Sequence, residues 1–563
     1  MEPKWKSLAA EKRQRLADAI PKEWVPSSIP GPQELDVTAF PKQSRTLSGK
    51  ELEITEVTDV NALLKKLAMA EWSAVEVTTA FYKRAIIAHQ LTNCLTEVFV
   101  ETALARAAAL DQYLKTNGKV IGPLHGLPIS LKDMFNVKGV ETTVGYASWV
   151  GKYAQEDAVI VEALIECGAI PYVKTSVPQS AMWTETHNLL FGRTLNPYNR
   201  SLTSGGSSGG EGALIALKGS VLGVGTTSEG SSIRIPAVYN GIYGLKPSYH
   251  RLPIHGCVGP LEGHDYMLAA PGPLSSSLSG LKTFMQAVLG TQPWLKDPSV
   301  VPLEWRERLY ALEGHGRGKQ LCFAIMWDDD MVKPHPPLLR ALQMTKDVLR
   351  AAGHKVIDWQ PLHHHDFVRL ANSIWRTGSR RDIQSHVAEH GEPLLSGMGL
   401  DEDTSPGFFT GDNAKDAHVY ELWQMQKKLF NMRKAYLEHL QKTVSQTGTG
   451  RPVDAIICPA SASVAAPHGQ NQYVNYTMVW NTLDYAAAVF PVTKVDAQVD
   501  VKSPPHHFHS SIDKVYYEMY DPKVFNGMPV GLQLVGRPLE EEAVLAMTEV
   551  VVEALKNAGK ARL

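Results

Sequence analysis

Short apolar runs alternate with helix-period segments along most of this chain, and that alternation limits the fold more than any other feature. Pro128-Ile-Ser-Leu-Lys-Asp133 and Ile170-Pro-Tyr-Val-Lys174 read as buried strands, and Asp157 to Gly168 between them reads as a helix closed by glycine. The same order returns at Gln320 to Trp327, Pro336 to Ala352 and Lys355 to Trp359. Strand–helix–strand order builds layered α/β folds, because a crossover helix lets successive strands pair in parallel. Asn61 to Ala88 and Leu104 to Leu114 add helices with apolar residues three and four apart. Before them, Trp5, Leu8, Leu16 and Ile20 fall near helical spacing, and Pro21, Pro26, Pro30, Pro32 and Pro41 then interrupt any long element. The expectation is an N-terminal helical arm over 1–60 and one large α/β domain over 61–563.

Composition narrows the function classes. At 563 residues and 44% apolar, with 12 Trp and 19 Tyr, the chain has material for a sizeable core and is neither disordered nor fibrous. Its 56 basic and 58 acidic residues give a net charge of −2, without the basic surplus expected of a nucleic-acid binder. The five cysteines, Cys94, Cys167, Cys257, Cys322 and Cys458, are scattered and lack CxxC spacing, which argues against a disulfide framework or a zinc site. No run of about 18 apolar residues occurs, so no transmembrane segment is expected. The N-terminus has no apolar core of a secretory signal, so a cytoplasmic location is expected. Ala561-Arg562-Leu563 resembles a peroxisomal address and supplies the alternative.

Two histidine clusters, His363-His-His365-Asp366 and His506-His507-Phe-His509, invite a metal reading, but neither has an i, i+4 pair. Solvated loops are the expectation there, and also for Trp327-Asp-Asp-Asp330; no metal and no cofactor is assigned.

The one strongly biased stretch is Thr203-Ser-Gly-Gly-Ser-Ser-Gly-Gly-Glu-Gly212. Such composition usually makes a flexible linker. Here it runs directly into Ala213-Leu-Ile-Ala-Leu, an apolar helical start, with no polar spacer. Successive glycines in that setting let backbone N–H groups approach a bound group.

Three segments then stand together: Gly122-Pro-Leu-His-Gly-Leu-Pro-Ile-Ser-Leu-Lys132-Asp133, Gly205-Gly-Ser207-Ser208-Gly-Gly, and Gly225-Thr-Thr-Ser-Glu-Gly-Ser231-Ser232-Ile-Arg-Ile-Pro236. With Gly527-Met-Pro-Val-Gly-Leu-Gln-Leu-Val-Gly-Arg537, this set resembles the amidase signature family over roughly Asn61 to Leu555. The chain looks most like the fungal acetamidase branch, and more distantly like fatty acid amide hydrolase. The resemblance implies one large twisted mixed sheet covered by helices on both faces. It also implies a small-molecule amide substrate, a homodimer as a candidate assembly, and hydrolysis through a Ser–Ser–Lys triad without a cofactor.

The residue types suit that chemistry. A serine hydroxyl needs a neighbouring base, and a lysine is a base only when neutral, which desolvation favours. The apolar run before Lys132 could desolvate its amine. The family resemblance makes Lys132 the base, Ser207 the relay, and Ser232 or Ser231 the nucleophile. The family pattern reads Gly-Thr-Asp-Ile-Gly-Gly-Ser-Ile-Arg, whereas this chain carries one extra residue and Glu229. Counting forward from Ser207 lands on Ser231, and counting back from Ile233-Arg-Ile-Pro lands on Ser232. The second count is preferred, because the downstream segment matches without a gap. By the same resemblance, Ser228, Glu229, Gly230 and Ser231 supply oxyanion donors, and Pro178 to Trp183, Ala181 included, line the acyl pocket. Two other readings stay open: an amidotransferase subunit that supplies ammonia in a complex, and a catalytically impaired member that acts as a binding protein.

Overall fold

The computed structural model describes residues 3–227, 230–266, 268–395 and 416–559. Ser228, Glu229 and the C-terminal Ala561-Arg562-Leu563 lie outside the described residues. Eleven strands form one mixed sheet. In chain order they are β1 (Leu95–Val98), β2 (Pro128–Lys132), β3 (Ile170–Thr175), β4 (Leu222–Thr227), β5 (Tyr243–Lys246) and β6 (Ala270–Ser275). They continue with β7 (Cys322–Ile325), β8 (Lys355–Asp358), β9 (Ala455–Pro459), β10 (Ala487–Lys494) and β11 (Pro529–Val535). Their spatial order is β1-β3-β2-β4-β6-β5-β10-β11-β9-β7-β8.

The pairs β3–β2–β4 and β9–β7–β8 are parallel. The pairs between and beyond them are antiparallel. Every residue of β2, β3 and β4 is buried, as expected of strands covered on both faces. Helices pack on this frame: Gly209–Ala216 against β2, β3 and β4, and Glu541–Asn557 against β10 and β11.

Local chemistry corrects the element boundaries. The helix expected over 61–88 is two, Val60–Ala68 and Ala74–Thr92. Ser73 restarts the second through a capping box: its side chain accepts from Glu76 N–H while the Glu76 carboxylate accepts from Ser73 N–H. Ala70, with φ of 53°, makes the turn between them. The segment read as an arm begins with helix Lys4–Ala19, and its Ala9, Leu16 and Ile20 join the same core cluster that reaches Leu555. Lys12, on that helix, is 2% exposed and pairs with Glu97 and Glu141.

The Gly/Ser stretch is no linker. Ser204 to Ser208 are buried, and the chain passes straight into helix Gly209–Ala216.

Among the histidine clusters, His364 is buried against Tyr436, with Nε2 3.0 Å from its hydroxyl. His506 Nε2 lies 3.0 Å from Asp513 Oδ2. Asp329 of the Trp327-Asp-Asp-Asp330 run is a core residue rather than a solvated one. It accepts from Tyr473 Oη at 2.6 Å and from the N–H groups of Met331 and Val332. Burial pushes its carboxyl up to about 7 against those donors.

Candidate active site

β2 and β4 run parallel, so their C-terminal ends open on the same side of the sheet. Lys132 ends β2, and Thr226 lies next to last in β4. Lys132 is completely buried, and its Nζ donates to Ser207 Oγ at 2.6 Å and to Thr226 Oγ1 at 2.8 Å. Ser207 Oγ in turn donates to Ser232 Oγ at 2.8 Å. Amine, hydroxyl and hydroxyl therefore form one continuous chain of hydrogen bonds. Ser207 belongs to the buried turn before helix Gly209–Ala216, where the Gly206–Ser207 peptide is cis. Ser232 stands just before helix Arg234–Tyr239, and Ser208 N–H donates to its carbonyl at 3.2 Å, which ties the two loops together.

Ser231 points elsewhere. Its Oγ donates to the Gly206 carbonyl at 3.2 Å rather than to the Ser207 hydroxyl. Gly230 has φ of 143°, open to glycine alone in practice, and a Cβ there would lie 2.5 Å from Met478 Cα. The Gly230 carbonyl accepts from Arg234 Nη2 at 2.5 Å. Arg234 is fully buried and also donates to the Thr477 carbonyl at 2.9 Å, to Gln533 Oε1 at 3.0 Å and to Asn481 Oδ1. Burial pushes this guanidinium down to about 9. It pins the start of the Gly230–Ser232 turn to helix Asn475–Thr482 and to β11.

Asp133 follows Lys132 but serves a different group. It accepts from Thr143 Oγ1 at 2.6 Å and pairs with Lys174 Nζ at 2.9 Å.

A cavity of about 80 Å³ is lined in part by Thr226, one of the two hydroxyl partners of Lys132. Ala181 lines it together with Ser180 and Met182. Sequence reasoning missed Met134, Leu261, His264 and Trp375 in its wall, and Thr226 as a partner of Lys132. Thr226 sits inside a segment already singled out and was open to discovery there. Trp375 lies next to last in helix His364–Arg376, far along the chain, and carried no local signal.

The family profile "Amidase" matches residues 76–545. An acetamidase of Aspergillus oryzae is 41% identical over 98% of this chain and 99% of that protein. An acetamidase of Emericella nidulans is 41% identical over 99% of each. Among solved structures, fatty acid amide hydrolase superposes with a TM-score of 0.89 at 32% identity, covering 98% of this chain and 95% of that one.

Proposed function

The chain belongs to the amidase family of amide-hydrolysing enzymes, and from that premise we propose that it cleaves a carboxamide C–N bond by acyl transfer to Ser232. The observation that carries this reading is the chain from Lys132 Nζ through Ser207 Oγ to Ser232 Oγ, with steps of 2.6 and 2.8 Å. A buried amine favours its neutral form, and neutral Nζ has a lone pair. The same two distances then serve protons moving the other way, from Ser232 to Ser207 and from Ser207 to Lys132. As its proton leaves, Ser232 Oγ bonds to the carbonyl carbon, and the carbonyl π electrons move to oxygen. Collapse of this tetrahedral species breaks the C–N bond. The departing nitrogen takes a proton from Ser207, which Lys132 reprotonates, so ammonia or an amine leaves neutral. Water then attacks the acyl-serine by the same relay and frees the carboxylic acid.

Thr226 orients the lysine. Backbone N–H groups of the turn before Ser232, Gly230 and Ser231 among them, are the proposed oxyanion donors, with Ser228 and Glu229 outside the described residues. The fungal relatives are named acetamidases, and the cavity lined by Thr226 and Ala181 is about 80 Å³. Cavities that hold benzene are nearer about 150 Å³, so a short acyl group fits better than a long or aryl one.

Labelling with a fluorophosphonate, then mapping of the modified residue, tests the assignment. Ser232→Ala should lose labelling completely, and Ser231→Ala should keep it. Retained labelling in folded Ser232→Ala would falsify the choice of nucleophile. A series of straight-chain amides should show kcat/KM falling once the acyl chain outgrows the cavity.

A further inference from the structure

Resting on the triad read above, we propose that Glu211 is a positioning residue for catalysis, holding the Lys132 strand against the Ser207 turn and setting the charge beneath the lysine. Glu211 lies in helix Gly209–Ala216, directly after that turn, and is completely buried. Its carboxylate points into the sheet rather than at Ser207. Ser130 Oγ donates to Oε2 at 2.6 Å, and Thr175 Oγ1 donates to Oε1 at 2.9 Å. Ser130 shares a face of β2 with Lys132, two residues on. Thr175 is the register partner of Lys132 on β3. One carboxylate thus grips both strands around the lysine from the helix that follows the serine.

The neighbouring strand makes room for it. Gly223 of β4 pairs with Ser130, and a Cβ at that glycine would collide with the Glu211 carboxylate and the Ser130 hydroxyl. Any larger residue there would have to displace the Glu211 carboxylate or the Ser130 hydroxyl.

Charge adds a second effect. Burial pushes the Glu211 carboxyl up to about 7, while the Ser130 and Thr175 donors and the Lys132 amine pull it back. Tyr172 of β3 and Cys94, before β1, also face it. Burial raises the Tyr172 phenol well above its usual range and the Cys94 thiol to about 12, so both stay neutral near pH 7. β4 offers it no titratable side chain. Lys132 and Glu211 are therefore the coupled pair at this point: an ionised Glu211 stabilises protonated Lys132 and holds back the base.

The test is Glu211→Gln in the full chain, read as a pH profile of kcat and KM with melting temperature as the control for folding. Removing the charge makes Lys132 easier to deprotonate, so the acid limb of kcat/KM should move to lower pH. Loss of one acceptor should cut kcat at the optimum on the order of tenfold, with KM within about twofold. Glu211→Asp keeps the charge but not the reach, and should lower kcat without moving the limb. Should Glu211→Gln fail to fold, Thr175→Val and Ser130→Ala each remove one grip and should lower kcat several-fold at unchanged KM. Parent kcat and parent acid limb in folded Glu211→Gln, or parent kcat in both hydroxyl variants, would overturn the proposal. Lys132→Ala runs in parallel: if it turns over normally, the triad and this inference fall together. If it is inactive while Glu211→Gln matches the parent, this inference alone falls.

Discussion

Two lysines lie side by side in this sheet, equally buried, and their partners divide their work. Lys132 on β2 and Lys174 on β3 are both fully buried, and the register pairs Leu131 with Lys174 and Lys132 with Thr175. Lys132 donates to two hydroxyls, those of Ser207 and Thr226. Lys174 meets the Asp133 carboxylate at 2.9 Å, and donates to the Glu141 carbonyl at 2.7 Å and to Thr142 Oγ1 at 2.8 Å. Lys174 is thus held by a carboxylate, whereas Lys132 is bonded to hydroxyls, which can accept or donate. Two equally buried lysines differ in the groups that face them.

The Lys174 cluster also reaches the N-terminal helix. Glu141, whose carbonyl Lys174 holds, receives Lys12 and Arg15 of helix Lys4–Ala19 on its carboxylate, Arg15 Nη2 at 2.9 Å. Lys174 is thus part of an ionic clasp, while Lys132 belongs to the hydrogen-bonded chain that ends at Ser232.

The strongest break in this contrast is Lys132→Ala. Turnover of a short amide should fall by about 10²–10⁴, the usual worth of a positioned base, while the melting temperature stays near that of the parent. Normal amide hydrolysis by this variant would remove Lys132 from the chemistry.

Lys174→Met should do the reverse. It strands the buried Asp133 carboxylate, which costs about 3–5 kcal/mol of stability by denaturant unfolding. The kcat of the protein that remains folded should change far less than in Lys132→Ala. A variant as stable as the parent would show that Asp133 finds another donor.

Lys12→Met probes the outer end of the clasp. Arg15 still holds Glu141, so the loss should be smaller, about 1.5–3 kcal/mol. If it is negligible, the N-terminal helix is held by its apolar contacts alone.

The mildest change is Thr226→Val, which removes one hydroxyl partner from Lys132 at nearly constant shape. The expected cost is about 1 kcal/mol in activation, a several-fold fall in kcat, with labelling of Ser232 slowed but not lost. Unchanged labelling kinetics would show that Ser207 orients the lysine without help.

Much of this arrangement was legible in the sequence. The runs at Pro128–Lys132 and Ile170–Lys174 are strands to within a residue, and Pro336–Ala351 is the helix its pattern announced. Lys132 and Ser207 stood out by residue type within recognisable segments, and Ala181 was placed in the pocket wall. The restart of the second helix at Ser73 was written locally as a capping box, Ser73 with Glu76. Trp375, His264 and the grip of Glu211 on Ser130 and Thr175 had no local trace.

Periodicity and side-chain volume are properties of neighbouring residues, so the sequence by itself determined the strands, the helices and the chemical types gathered near the site. Which of two adjacent serines meets the Ser207 hydroxyl, and which of two buried lysines meets a carboxylate, only the tertiary structure decided. A hydrogen bond of 2.8 Å depends on the placement of strands and loops far apart in the chain, and a shift of about one residue turns a side chain to the opposite face of its strand. Local propensity cannot carry that information, because packing between distant elements sets it.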